Sequence, residues 1–121
     1  MNILLNDVFE KFEDEVIKRI IAENPELSKT LKRQYSSSII LSRKFTGAGF
    51  YTEYEITDKS LLLPDKSNHL GKTQAKVDGL EYGMGFILYV KDGIISTLEG
   101  HTYGEAFWPK TIISYHLLDE I

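Results

Sequence analysis

The stretch MGFILYVKDGIISTLEGH, residues 84–101, decides the fold class of this chain. It consists of a largely apolar run, residues 84–90, and a second strand-like segment, residues 94–101, separated by Lys91-Asp92-Gly93. An Asp-Gly pair between two strand-like segments is the strongest short-range signal for a tight β-hairpin. The stretch therefore predicts two paired antiparallel strands with their turn at Asp92-Gly93.

Strand-like alternation extends on both sides of this hairpin. Residues 39–44 and 50–57 alternate with period two around the glycine-rich turn at residues 46–49, which predicts a second hairpin. Further strands are expected near residues 72–78 and 111–118. Long polar loops are expected at residues 58–71 and 102–110, the second with an aromatic tip.

The N-terminal segment has the period of a helix rather than a strand. Its apolar stripe consists of Leu5, Val8, Phe9, Phe12, Val16, Ile17, Ile20 and Ile21. Asn6 is a plausible N-cap, and Asn24-Pro25 can end this helix and cap a short second one. The predicted fold is α+β: N-terminal helices packed on a twisted antiparallel sheet of five or six strands, in one domain spanning residues 1–121.

Composition and charge indicate the cellular compartment of the protein and the kind of partner it can bind. The chain has no cysteine, which favours a reducing compartment, and neither a leader peptide nor an apolar run near 20 residues is visible. We therefore expect a cytoplasmic protein without membrane contact. Residues 1–46 carry eight basic and seven acidic side chains, whereas residues 47–121 carry six and eleven. An acidic sheet half repels nucleic acid and attracts a basic protein.

The sequence contains no complete catalytic or cofactor-binding motif. The pairs Gly47-Ala48-Gly49 and Gly83-Met84-Gly85 lack the third glycine and the following helix of a dinucleotide site. His69, His101 and His116 do not have the spacing typical of a zinc site. We expect no cofactor, no metal and no catalytic residue, and a binding protein rather than an enzyme.

Two candidate sites remain. The first is a partner-binding surface of acids and aromatic anchors. Its predicted members are Glu53, Glu55, Asp78, Glu81, Tyr103, Glu105 and Trp108. The alternative is a small-molecule or sugar-binding pocket, or an enzyme site, formed by Arg43, Glu99 and His101. Because side chains alternate between the two faces of a strand, Arg43 should share its face with Ile39 and Leu41 and point inward. A buried arginine needs a carboxylate partner, and we expect this to be Glu99, either in that pocket or as a purely internal ion pair.

Three strings carry a resemblance to a known group of proteins. They are RKFTGAGFYT (residues 43–52), GLEYGMGF (residues 79–86) and LEGHTYGE (residues 98–105), the last followed by Trp108-Pro109. Together they resemble small bacterial proteins that include immunity proteins of contact-dependent inhibition and other polymorphic-toxin systems. The resemblance implies a protein that neutralises a toxin, such as a basic nuclease, by occluding it. It assigns no role to any individual residue.

Overall fold

The computed structural model describes residues 3–64, 69–104 and 115–118. Two helices open the chain, α1 (Ile3–Ala22) and α2 (Ser28–Ser36), with a 3₁₀ turn (Pro25–Leu27) between them. The strands are β1 (Ser38–Thr46), β2 (Gly49–Ile56), β3 (His69–Leu70), β4 (Gln74–Val77), β5 (Met84–Lys91), β6 (Ile94–Thr102) and β7 (Tyr115–Leu118).

The strands form one antiparallel sheet in the order β1-β2-β6-β5-β4-β7, and β3 also pairs with β5. The α+β prediction is confirmed, with one strand more than expected among the described residues. The additional strand is β3, whose two residues lie in the predicted loop 58–71 and pair with Tyr89 and Leu88. A two-residue strand is too short to produce a periodic signal in the sequence.

The Asp92-Gly93 hairpin is confirmed. The backbone φ angles are 53° at Asp92 and 78° at Gly93, so both residues adopt the left-handed conformation that a tight hairpin turn needs. Strands β5 and β6 pair from Met84↔Thr102 to Lys91↔Ile94, with one irregularity after Tyr89. This hairpin forms the middle of the sheet, with β2 on one side and β4 on the other.

Both helices lie on one face of the sheet, where the core is. The predicted burial of Phe9, Phe12, Val16 and Ile20 is confirmed. They pack against sheet residues that alternate inward, such as Phe50 and Phe86. No described helix is both long and apolar enough to cross a membrane.

Both predicted N-caps are wrong. Helix α1 already begins at Ile3, so Asn6 lies within the helix. Asn24 does not cap the next helix, because its side-chain Nδ2 instead donates to the Ile20 carbonyl oxygen at 2.8 Å. Asn24 thus satisfies an acceptor at the end of α1, and the chain continues through a 3₁₀ turn.

The opposite face of the sheet carries neither α1 nor α2, and we call it the open face. It is defined by the residues of β1, β2, β5 and β6 that alternate away from the helices. These are Ile39, Ser42, Lys44, Thr46, Gly49, Tyr51, Glu53, Glu55, Gly85, Ile87, Tyr89, Lys91, Thr97, Glu99 and His101.

Candidate functional site

The predicted partner of Arg43 is wrong. Arg43 does bind a carboxylate, but that of Glu13 on α1: Nη2 donates to Oε1 at 2.8 Å and Nε to Oε2 at 3.2 Å. The Thr52 hydroxyl also donates to Glu13 Oε2, at 2.5 Å, and only 3% of Glu13 is exposed. The guanidinium also lies 5.3 Å from the centroid of the Phe9 ring.

Arg43 points inward as predicted, but a β-bulge explains why Ile39 and Leu41 do not share its face. Ile40 is opposite Tyr54 and Ser42 is opposite Glu53, so Leu41 is an extra residue in β1. One extra residue reverses the side of every residue that follows. Arg43 therefore faces the helices, whereas Ile39 lies on the open face and Leu41 is largely exposed.

The alternative pocket is consequently divided between the two faces of the sheet. Arg43 is opposite Thr52 on the helix side, whereas Glu99 is opposite Tyr51 on the open face. His101 shares the open face with Glu99. Burial alone would lower the pKa of Arg43, but the hydrogen bond and the charge of Glu13 raise it above its usual value. These contacts describe an internal ion pair that joins α1 to the sheet.

The open face holds a polar cluster that the sequence analysis did not identify. Glu99 accepts hydrogen bonds from the hydroxyls of Tyr51, at Oε2, and Tyr89, at Oε1, both at 2.9 Å. The two tyrosines come from the strands on either side of β6, and they are 39% and 37% exposed. In this Tyr51–Glu99–Tyr89 cluster, two exposed aromatic side chains hold the carboxylate of Glu99 in place.

Hydrogen bonding to Glu99 raises the pKa of both tyrosines, because a phenol that donates to a carboxylate resists ionisation. We expect Glu99→Gln to lower the pKa of Tyr51 and Tyr89 towards about 10, the value for an unperturbed tyrosine. A ¹³Cζ NMR titration of the tyrosines measures this change. Tyr103 is the internal control, because burial raises its pKa. Unchanged Tyr51 and Tyr89 titrations in the variant would refute the hydrogen bonds.

Acids and aromatic rings surround the cluster. Glu53 and Glu55 are exposed on the same face of β2, and the cations among the residues that define this face are Lys44 and Lys91. At the C-terminal end of β6, the rings of His101 and Tyr103 meet edge to face with centroids 5.4 Å apart. Gly85 leaves room for the Tyr103 phenol, which a Cβ at that position would overlap.

Two other predicted partner-binding residues, Asp78 and Glu81, lie away from the cluster. They line a cleft of about 770 Å³ beside the turn between β4 and β5, and Tyr103 lies between this cleft and the open face. Tyr82 of the same turn is 62% exposed, and its ring occupies the space where Gly104 lacks a side chain. This cleft, which we call the turn cleft, is therefore a different surface from the open face that carries Glu53 and Glu55. The predicted Glu105 and Trp108 lie outside the described residues.

Within residues 3–64, 69–104 and 115–118, no three acidic or histidine side chains are arranged to hold a metal ion. Comparison of the chain with protein-family models, curated proteins and solved structures finds no match.

Sequence reasoning missed Tyr51, Tyr89 and Glu13. A usable signal exists for each of them. Tyr51 has the same parity as Glu53, and Tyr89 alternates with the inward residues of β5, so both belong to the outer side of a two-faced sheet. Glu13 lies four residues from both Phe9 and Ile17, which places it on the buried helical stripe.

Proposed function

We propose that this chain is a binding protein that captures a basic protein on its open face. The observation that carries the proposal is the Tyr51–Glu99–Tyr89 cluster, in which two exposed aromatic side chains hold a carboxylate on a sheet surface. Tyrosine is enriched among the residues that dominate binding energy, because it combines a large apolar ring with a hydrogen-bonding end.

The charges around the cluster favour a cationic partner. Three acids, Glu53, Glu55 and Glu99, face two lysines, Lys44 and Lys91, on the open face. Exposed acids of this kind mainly accelerate encounter with a basic surface. A partner that covered the cluster would exclude water from Glu99 and strengthen its interaction with a cation.

The proposal takes the form that the sequence resemblance implies, a bacterial immunity protein that occludes a toxin such as a basic nuclease. Inhibition would then need no turnover by this chain. An immunity protein of this kind would act in the cytoplasm, where a nuclease toxin reaches its target. The lack of cysteine is compatible with that reducing compartment.

The test is to co-express this chain with the toxin domain encoded beside its gene and to measure protection and complex formation. We expect Glu53→Gln/Glu55→Gln/Glu99→Gln to slow association about tenfold or more at low salt, with a smaller effect at high salt. The matched control is Glu26→Gln/Asp78→Asn/Glu81→Gln, which removes the same charge outside the open face. Absence of protection, or loss of binding in the control alone, would contradict the proposal.

A further inference from the structure

We propose that the Tyr51–Glu99–Tyr89 cluster receives the side chain of an arginine from the bound protein. This inference rests on the proposed function and names the group that the open face recognises. It assigns the carboxylate of Glu99 as the ionic contact, with the two tyrosines positioned beside the guanidinium.

The hydrogen bonds of Glu99 leave it able to accept more. Each carboxylate oxygen receives one tyrosine hydroxyl, Oε2 from Tyr51 and Oε1 from Tyr89. An ionised carboxylate has about four acceptor positions, two on each oxygen. One position on each oxygen therefore remains for an incoming donor, and the two tyrosines fix the orientation of the pair.

In the part of the chain that the structure describes, no lysine or arginine forms an ion pair with this carboxylate. Among the described residues, the ion pairs of acidic side chains with lysine or arginine involve Glu10, Glu13, Asp14 and Asp58, not Glu99. Lys44 is in the same cross-strand row but two strands away, a backbone separation of roughly 10 Å. Glu99 is thus oriented by neutral donors and keeps its charge available to a partner.

The geometry favours arginine over lysine. A guanidinium presents two parallel N–H groups that match the two oxygens of one carboxylate, whereas an ammonium is a single point charge. A guanidinium also binds aromatic rings, and the rings of Tyr51 and Tyr89 come from both neighbouring strands. Ile87, directly opposite Glu99 on β5 and partly buried, offers apolar surface for the methylene stem.

The experiment is an NMR titration of the whole chain with N-acetyl-arginine amide, followed through the tyrosine ring and glutamate side-chain signals. We expect saturable shifts at Tyr51, Tyr89 and Glu99, weaker binding of N-acetyl-lysine amide, and no binding of the uncharged citrulline analogue. Glu99→Gln is expected to weaken binding about tenfold or more, the loss expected for a charge-assisted pair. Glu26→Gln, at an exposed acid on the 3₁₀ turn, is the control and should bind as the natural chain does.

The outcomes separate this inference from the proposed function. Arginine amide that binds through Glu99 supports the site, even where the toxin domain fails to bind. Equal binding of the arginine and lysine amides, or a Glu99→Gln variant that binds as tightly as Glu26→Gln, would overturn it. If the toxin domain then still depended on the open face, the proposed function would stand without the arginine site.

Discussion

Replacing Glu13 with alanine is expected to lower the free energy of unfolding by about 3–5 kcal/mol, the usual cost of removing one partner of a buried ion pair. Glu13 is almost fully buried and accepts hydrogen bonds from Arg43 and Thr52. Its loss leaves the guanidinium with Glu10 alone, at 3.7 Å, and the Thr52 hydroxyl without its acceptor. Urea unfolding at neutral pH measures the change.

Glu10→Ala is the matched control for Glu13→Ala. Glu10 also faces Arg43, but its side chain is 59% exposed, so the expected loss is below about 1 kcal/mol. The double variant Glu13→Ala/Arg43→Ala should lose less than the sum of the single losses, because each single variant leaves the other charge without its partner. Equal small losses for Glu10→Ala and Glu13→Ala would show that the pair does not join α1 to the sheet.

Replacing Phe12 with alanine is expected to cost about 3–5 kcal/mol of unfolding free energy. Phe12 is completely buried, and its ring meets those of Tyr115 and Phe86 edge to face, with centroids 4.7 and 5.6 Å away. A truncated side chain would leave a cavity where α1, β5 and β7 meet. The core cannot close over such a cavity without moving these elements.

Lys11→Ala is the control for Phe12→Ala, because Lys11 is the exposed neighbour in the same helix. Its expected effect is within about 0.5 kcal/mol. Urea unfolding of both variants tests the packing of α1 on the sheet. A loss under about 1 kcal/mol for Phe12→Ala would place this side chain outside the core.

The parts of the fold that sequence predicted well depend on local chemistry or on long periodic patterns. Asp92-Gly93 fixes its turn because both residues tolerate a positive φ, and the α1 stripe is long enough to determine which side is buried. Neither conclusion requires knowledge of distant residues. The α+β architecture follows from these two elements together with the β1–β2 hairpin.

The site was harder to predict because it depends on which strands and helices pair, and because one bulge changes the alternation in β1. Sequence alternation groups Ile39 with Arg43, but the extra residue Leu41 turns them to opposite faces. The predicted partner of Arg43 was wrong for a different reason: Glu99 follows the buried Leu98 in β6 and therefore points to the open face, whereas Arg43 reaches Glu13 on α1. A bulge is a property of strand pairing, which alternation along one strand does not reveal.

The claim that the open face is the binding surface is tested most directly by tyrosine footprinting of the complex with the co-expressed toxin domain. Tyr51 and Tyr89 report on the open face, and Tyr82 reports on the turn cleft. Mild nitration with and without the partner, read by mass spectrometry, measures the accessibility of each tyrosine. The proposal predicts that the partner protects Tyr51 and Tyr89 and leaves Tyr82 reactive. Protection of Tyr82 with Tyr51 and Tyr89 still reactive would contradict it.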